Sequence, residues 1–234
     1  MTSKPFPGRD WNSHPAYVSP DYRSSRLRAP SKPLQQLPDT PELHAGPHFD
    51  GNAVRQLDND LLKNGAHDGE PLGQRIVVTG RVLDQHGQPV PDTLIEIWQA
   101  NAAGRYIDRN DDNDAPLDPN FLGAGRAATD AQGRYRFYTV KPGAYPWGNH
   151  HNAWRPNHIH LSVFGPSIAT RLVTQMYFAG DPLLEFDPIY LAVPAAARHR
   201  LVAEYSPDVT ESGFALGYIF DIVLGGAGKT PAQT

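Results

Sequence analysis

The sequence predicts an all-β protein: a β-sandwich core with a long irregular N-terminal arm and short helical segments. Three observations lead there. From Arg75 onward, short apolar and β-branched runs are separated by turns of Gly, Pro, Asp and Asn. Gly and Pro number 21 and 23 in 234 residues, which favours turn-rich sheets over helix bundles. Only Pro194 to Tyr205, with Pro near its start and an Ala/Arg/Leu run, carries a fair helical signature.

Residues 1–71 show no clean periodicity. Pro, Ser, Asp and Asn recur, and Trp11, Tyr17, Tyr22 and Phe49 stand singly. So long an irregular stretch is uncommon inside a compact domain, so it is read as an extended arm packing on its own core or on a partner chain. Asp58 to Lys63 suggests a short helical turn. Residues 72–234 form the sandwich domain. Its strands are expected at Arg75 to Leu83, Thr93 to Gln99 and Arg134 to Val140, then on the histidine stretch ending near Gly165. Arg171 to Phe178 and a long final strand, Phe214 to Leu224, complete the set.

The formal charge of -4 gives no basic footprint for nucleic acid, and Cys is absent, which excludes disulfides and thiolate metal sites. No apolar run is long enough to span a bilayer, and Met1 to Arg9 lacks an apolar signal core. The expectation is a soluble cytoplasmic protein without membrane or nucleic-acid partners.

Chemistry concentrates between Tyr145 and Gly165. Ile159, Leu161 and Val163 alternate with His158, His160 and Ser162, so the two histidines project from one strand face. Paired imidazoles suit iron, copper, nickel or zinc, and also occur in ordinary sheets with no metal. No acidic residue lies between Tyr145 and Val163 to complete a carboxylate site. The nearby oxygen donor is the Tyr145 phenol. With a pKa near ~10, a phenol ligates at neutral pH only a strong Lewis acid such as ferric iron. Two phenolates and a hydroxide would neutralise Fe(III), with two imidazoles completing five ligands. Tyr106, on the loop after Glu96 to Arg105, is the best second phenol.

Gly80 to Pro91, Glu96 to Asn101 leading to Tyr106, Lys141 to Trp147 and Trp154 to His160 together resemble the intradiol ring-cleaving dioxygenases. Pro116 to Phe121, Gly165 to Thr170, Tyr177 to Pro182 and Phe220 to Leu224 extend the resemblance over nearly the whole chain, as do His14-Pro15 and Ser19 to Tyr22. It is weakest in Thr40 to Ala66 and Leu184 to Gly213. The resemblance implies non-haem Fe(III) held by Tyr106, Tyr145, His158 and His160 with a solvent hydroxide. It further implies that Tyr145 and Arg155 are catalytic, Tyr145 taking substrate protons and Arg155 stabilising negative charge on the reacting oxygens. Tyr22, Trp147, Gln175 and Ile189 are assigned to substrate binding by position.

The implied reaction joins O2 to 3,4-dihydroxybenzoate, opening the ring between its hydroxylated carbons to give 3-carboxy-cis,cis-muconate in the β-ketoadipate pathway. The N-terminal region lacks the sustained helical pattern of the dimerisation domain in catechol-cleaving members, and the resemblance to the remaining type implies as partner a homologous iron-free alpha chain in a large hetero-oligomer. Two features depart from the family pattern: Gly148 where relatives commonly have Arg, and the more basic His150-His151 loop. Two other readings share the fold: a metal-free binding module, and a zinc hydrolase using His158 and His160. An iron assay with a visible charge-transfer band separates them.

Overall fold

A computed structural model of the chain describes residues 10–32, 35, 54–65, 67–165 and 171–233. Phe49 and residues 166–170 of one motif lie outside the described residues. Eleven strands are described: β1 (Arg75–Leu83), β2 (Leu94–Trp98), β3 (Ala124–Ala128), β4 (Arg134–Val140), β5 (Tyr145–Pro146), β6 (Trp154–Arg155), β7 (His158–Phe164), β8 (Leu172–Phe178), β9 (Val202–Tyr205), β10 (Leu216–Ile219) and β11 (Ile222–Val223). Two short α-helices, α1 (Ser25–Arg28) and α2 (Pro188–Ala192), accompany them.

Two leaves face each other across the core. One contains β4, β1, β10 and β11, and the other β3, β2, β7 and β8. Strand β9 pairs antiparallel with β10 and parallel with β8, so the leaves form one folded, nearly closed sheet. The sandwich expectation is met. Ile76, Val78, Phe137, Ile95, Ile97, Ile159, Leu161, Val163 and Met176 meet in the interior. Each such fully buried side chain contributes about 1.5–3 kcal/mol.

The alternation that buries Ile159 and Leu161 turns His158 and His160 to the outer face of the second leaf. That face is covered: Tyr177 packs with Val193, Ala197 and Leu201 in a second apolar cluster under α2 and the following 3-10 helix. The site therefore lies between a rigid sheet and its cover.

The structure corrects two elements. The helix expected over Pro194 to Tyr205 is a 3-10 helix, Ala195–Leu201, followed by β9. Val202 and Ala203 pair with Tyr177 and Phe178, so tertiary pairing overrides the weak local helical preference. The long final strand divides into β10 and β11, both parallel to β1. Between them Phe220 approaches β1 so closely that a Cβ on Gly80 would stand 2.0 Å from the Phe220 carbonyl oxygen. Tyr135 Oη donates to that same oxygen at 2.6 Å, holding the break. Residues 58–63 form hydrogen-bonded turns, with the Lys63 and Asn64 amides donating to the Asp60 carbonyl.

Segment 10–32 lies on the core. The Asn149 side chain accepts from Arg23 N and donates to the Asp21 carbonyl, and His14 Nδ1 accepts from Ala232 N. Among the described residues, no helix is long and apolar enough to cross a membrane.

Candidate metal centre

The imidazole half of the site is set by strand register. His158 faces Tyr177 and His160 faces Gln175 across the β7–β8 ladder, while His160 also faces Trp98 on β2. The His160 ring stacks on Trp98, 4.8 Å between centroids and 4° from parallel. His158, only 1% exposed, approaches the Pro156 carbonyl with Nδ1 at 2.7 Å. A carbonyl only accepts, so Nδ1 carries the proton and Nε2 keeps its lone pair. Nε2 faces the Tyr145 hydroxyl at 3.3 Å. Burial first, then the Arg155 charge, hold both imidazoles neutral: His158 falls well below its usual range and His160 to about 3.

The phenol half is built from loops. Asn101 organises the first: its Oδ1 accepts from Ala103 N and Arg105 N, and its Nδ2 donates to the Pro116 carbonyl. Gly104, at φ +83°, brings this loop against the second; a Cβ there would meet the Ala144 carbonyl oxygen at 2.3 Å. Tyr106 and Tyr145 consequently meet edge to face at 5.5 Å. Tyr106 lies 6.4 Å from the His160 ring and Tyr145 5.5 Å from His158. Burial pushes both phenols above their ordinary pKa, more strongly for Tyr106, where Tyr145 adds to the rise.

Strands β5 and β6 form a small ribbon in which Tyr145 stands directly opposite Arg155. Arg155 is 4% exposed and Asp187 is 0% exposed. Arg155 Nε lies 3.3 Å from Asp187 Oδ1, an ion pair by distance without hydrogen-bond alignment. Nη2 donates to Asp187 Oδ2 at 3.3 Å, to Tyr177 Oη at 3.4 Å and to Gln175 Oε1. Burial opposes the Arg155 charge, but Tyr177, Asp187, Tyr145 and Tyr106 outweigh it and raise its pKa.

The remaining expected substrate-binding residues distribute unevenly. Tyr22 is buried 5.7 Å from the Trp147 ring, and Trp147 in turn lies 5.3 Å under the Arg155 guanidinium. Ile189 lines a small recess with Gln175 and Tyr177. A larger cleft of about 480 Å³ is bordered by Trp98, Tyr106, Asp111, Leu122, Tyr145 and His160, and not by Tyr22, Trp147, Gln175 or Ile189. Gly148 has nothing within 4 Å of a Cβ, and His150 and His151 are exposed. Sequence reasoning missed Asp187, Tyr177 and Trp98. Tyr177 and Gln175 were traceable as i, i+2 neighbours on one strand, and Asp187 as the residue before Pro188 that caps a helix.

The donor set fits a trivalent metal. Four side chains, two neutral imidazoles and two phenols, converge. Among the described residues no group of three or more His, Cys, Asp or Glu gathers to offer another site. Buried polar atoms without a hydrogen-bond partner crowd here: His160 Nδ1, Trp147 Nε1 and Gln175 Nε2. Such clustering is characteristic of a site shaped for a bound group.

A family model described as Dioxygenase matches residues 44–226, and one described as Protocatechuate 3,4-dioxygenase beta subunit N terminal matches residues 8–40. The chain is 62% identical to the protocatechuate 3,4-dioxygenase beta chain of Burkholderia cepacia, over 96% of either chain. It is 31% identical to the protocatechuate 3,4-dioxygenase alpha chain of Pseudomonas putida, over 85% of this chain and 97% of that one. Among solved structures, 3-chlorocatechol 1,2-dioxygenase from Rhodococcus opacus 1CP superimposes with a TM-score of 0.57 at 26% identity, covering 77% of this chain and 70% of that one. The fold, the matched models and the identity together place the chain in the family of intradiol ring-cleaving dioxygenases.

Proposed function

We propose that the chain acts as the iron-bearing, beta-type chain of a protocatechuate 3,4-dioxygenase. In this reading 3,4-dihydroxybenzoate and O2 become 3-carboxy-cis,cis-muconate, both oxygen atoms entering the product. The observation that carries the reading is the clustering of Tyr106, Tyr145, His158 and His160 at the floor of one cleft, in a chain 62% identical to such a beta chain. These four residues would hold non-haem Fe(III). Such a metal would supply Lewis-acid and charge-accepting chemistry to a bound catechol.

The chain's own groups divide the remaining work. Tyr145, beside His158 and opposite Arg155, would receive a proton at its phenolate oxygen as a catechol hydroxyl ionises. Arg155 sets a fixed positive charge in a dry site, where it stabilises developing oxyanions. Gln175 turns its Oε1 to Arg155 and Tyr177, leaving Nε2 to donate. Trp147 and Ile189 would bound the ring and Tyr22 would reach the substrate carboxylate. In the same proposal residues 1–71 form an arm and 72–234 the catalytic domain, working in the cytoplasm. The homologous alpha chain is the partner, its existence in relatives supporting a mixed assembly.

Oxygen uptake with 3,4-dihydroxybenzoate, followed by product analysis, tests this. The expected product is the tricarboxylate cleaved between the hydroxylated carbons. Cleavage beside the diol, or no oxygen uptake by iron-loaded protein assembled with its alpha chain, would overturn it.

A further inference from the structure

Asp187 has no part in the reading above, yet it is the best-buried charged group beside the site. Its carboxylate spans two structures. Oδ1 accepts from Ile189 N at 3.1 Å, capping α2, and the same carboxylate holds the Nε and Nη2 edge of Arg155. All four polar contacts of Arg155 use Nε and Nη2, and none uses Nη1. Three residues on two elements thus fix one edge of the guanidinium: Asp187 at the start of α2, and Gln175 and Tyr177 on β8. The other edge is left for the reacting oxygens. Because Arg155 and the Tyr177 hydroxyl both donate to Gln175 Oε1, the Gln175 amide is also set, its Nε2 left without a partner.

We propose that Asp187 is a positioning residue for ring cleavage: its carboxylate aims Arg155 at the reacting oxygens and locks that aim to α2. The inference rests on the reading of Arg155 given under the proposed function. Misaiming a catalytic charge lowers turnover more than it lowers substrate binding, since the charge acts where negative charge develops.

Asp187→Asn is the direct test. Asn matches Asp in size and as a helix cap, so the α2 contact persists while the ionic hold on Arg155 is lost. Measured below its melting temperature in the iron-loaded assembly, the variant is expected to lose kcat on the order of 10- to 100-fold. Iron per chain stays at the wild-type level, and anaerobic affinity for 3,4-dihydroxybenzoate, read from the visible band without turnover, stays within about threefold. Adding Asp187→Asn to Arg155→Lys should cost little more than Arg155→Lys alone, because both break one interaction. Wild-type kcat in Asp187→Asn, equal losses in kcat and affinity, or fully multiplicative losses in the double variant would overturn the positioning role while leaving Arg155 in place. Wild-type kcat in Arg155→Lys would overturn both. If Asp187→Asn fails to fold, Asp187→Glu keeps the charge but displaces the carboxylate by a methylene; lowered kcat with unchanged anaerobic affinity is expected, and unchanged kcat refutes the inference.

Discussion

The two halves of the candidate centre are built on different principles. His158 and His160 stand on a central strand paired on both sides, where ladder register, the Pro156 carbonyl for His158 and the Trp98 ring for His160 fix the two imidazoles. Tyr106 and Tyr145 stand on loops whose approach depends on Asn101 and on the left-handed Gly104. The sheet half is specified by a periodicity that a one-residue slip would reverse. The loop half is specified by single residues that permit close backbone contact. Burial keeps both imidazoles neutral and both phenols protonated, so in the proposed site the phenols would lose their protons only when a strongly Lewis-acidic metal binds their oxygens.

Breaking the sheet half should have the largest effect. His158→Ala or His160→Ala is expected to lower bound iron by at least about tenfold, the loss that changes around a ligand alone can produce, and to abolish oxygen uptake. Metal analysis of purified protein checks this; full iron and activity in both variants would refute the ligand assignment. Next comes the loop half. Gly104→Ala places a Cβ in a left-handed conformation against the Ala144 carbonyl, so stability should fall by about 2 kcal/mol or more. For a chain of this size that is a melting shift of about 4–8 °C, readable by calorimetry, with weakened visible absorption. Tyr106→Phe should lower activity and reduce the visible band with little change in melting temperature, because the ring packing survives. Gly148→Arg should do least: open space surrounds a Cβ there, so melting temperature and iron content should stay at wild-type values.

The contrast also explains what could be read from sequence. The β1 and β4 bounds and the shared face of the histidines followed from β-branched runs and alternation. Tyr145 stood out because no carboxylate lies between it and Val163, and Tyr106 as the candidate second phenol, but the full ligand set came only with the family resemblance, since no local rule says where two loops meet. The break at Phe220 and the strand Val202–Tyr205 escaped notice because both depend on partners far along the chain. The pairing of Asp187 with Arg155 was hidden for the same reason: the cap before Pro188 is legible, but nothing near it reveals that Arg155, 32 residues earlier, ends beside its carboxylate.

The most direct test is the visible absorption spectrum of the purified, iron-loaded protein before and after anaerobic 3,4-dihydroxybenzoate. A tyrosinate-to-iron charge-transfer band that shifts on adding the catechol, and weakens in Tyr106→Phe, is the expected result. A colourless protein with a full complement of iron would contradict phenolate ligation and leave His158 and His160 to a different metal chemistry.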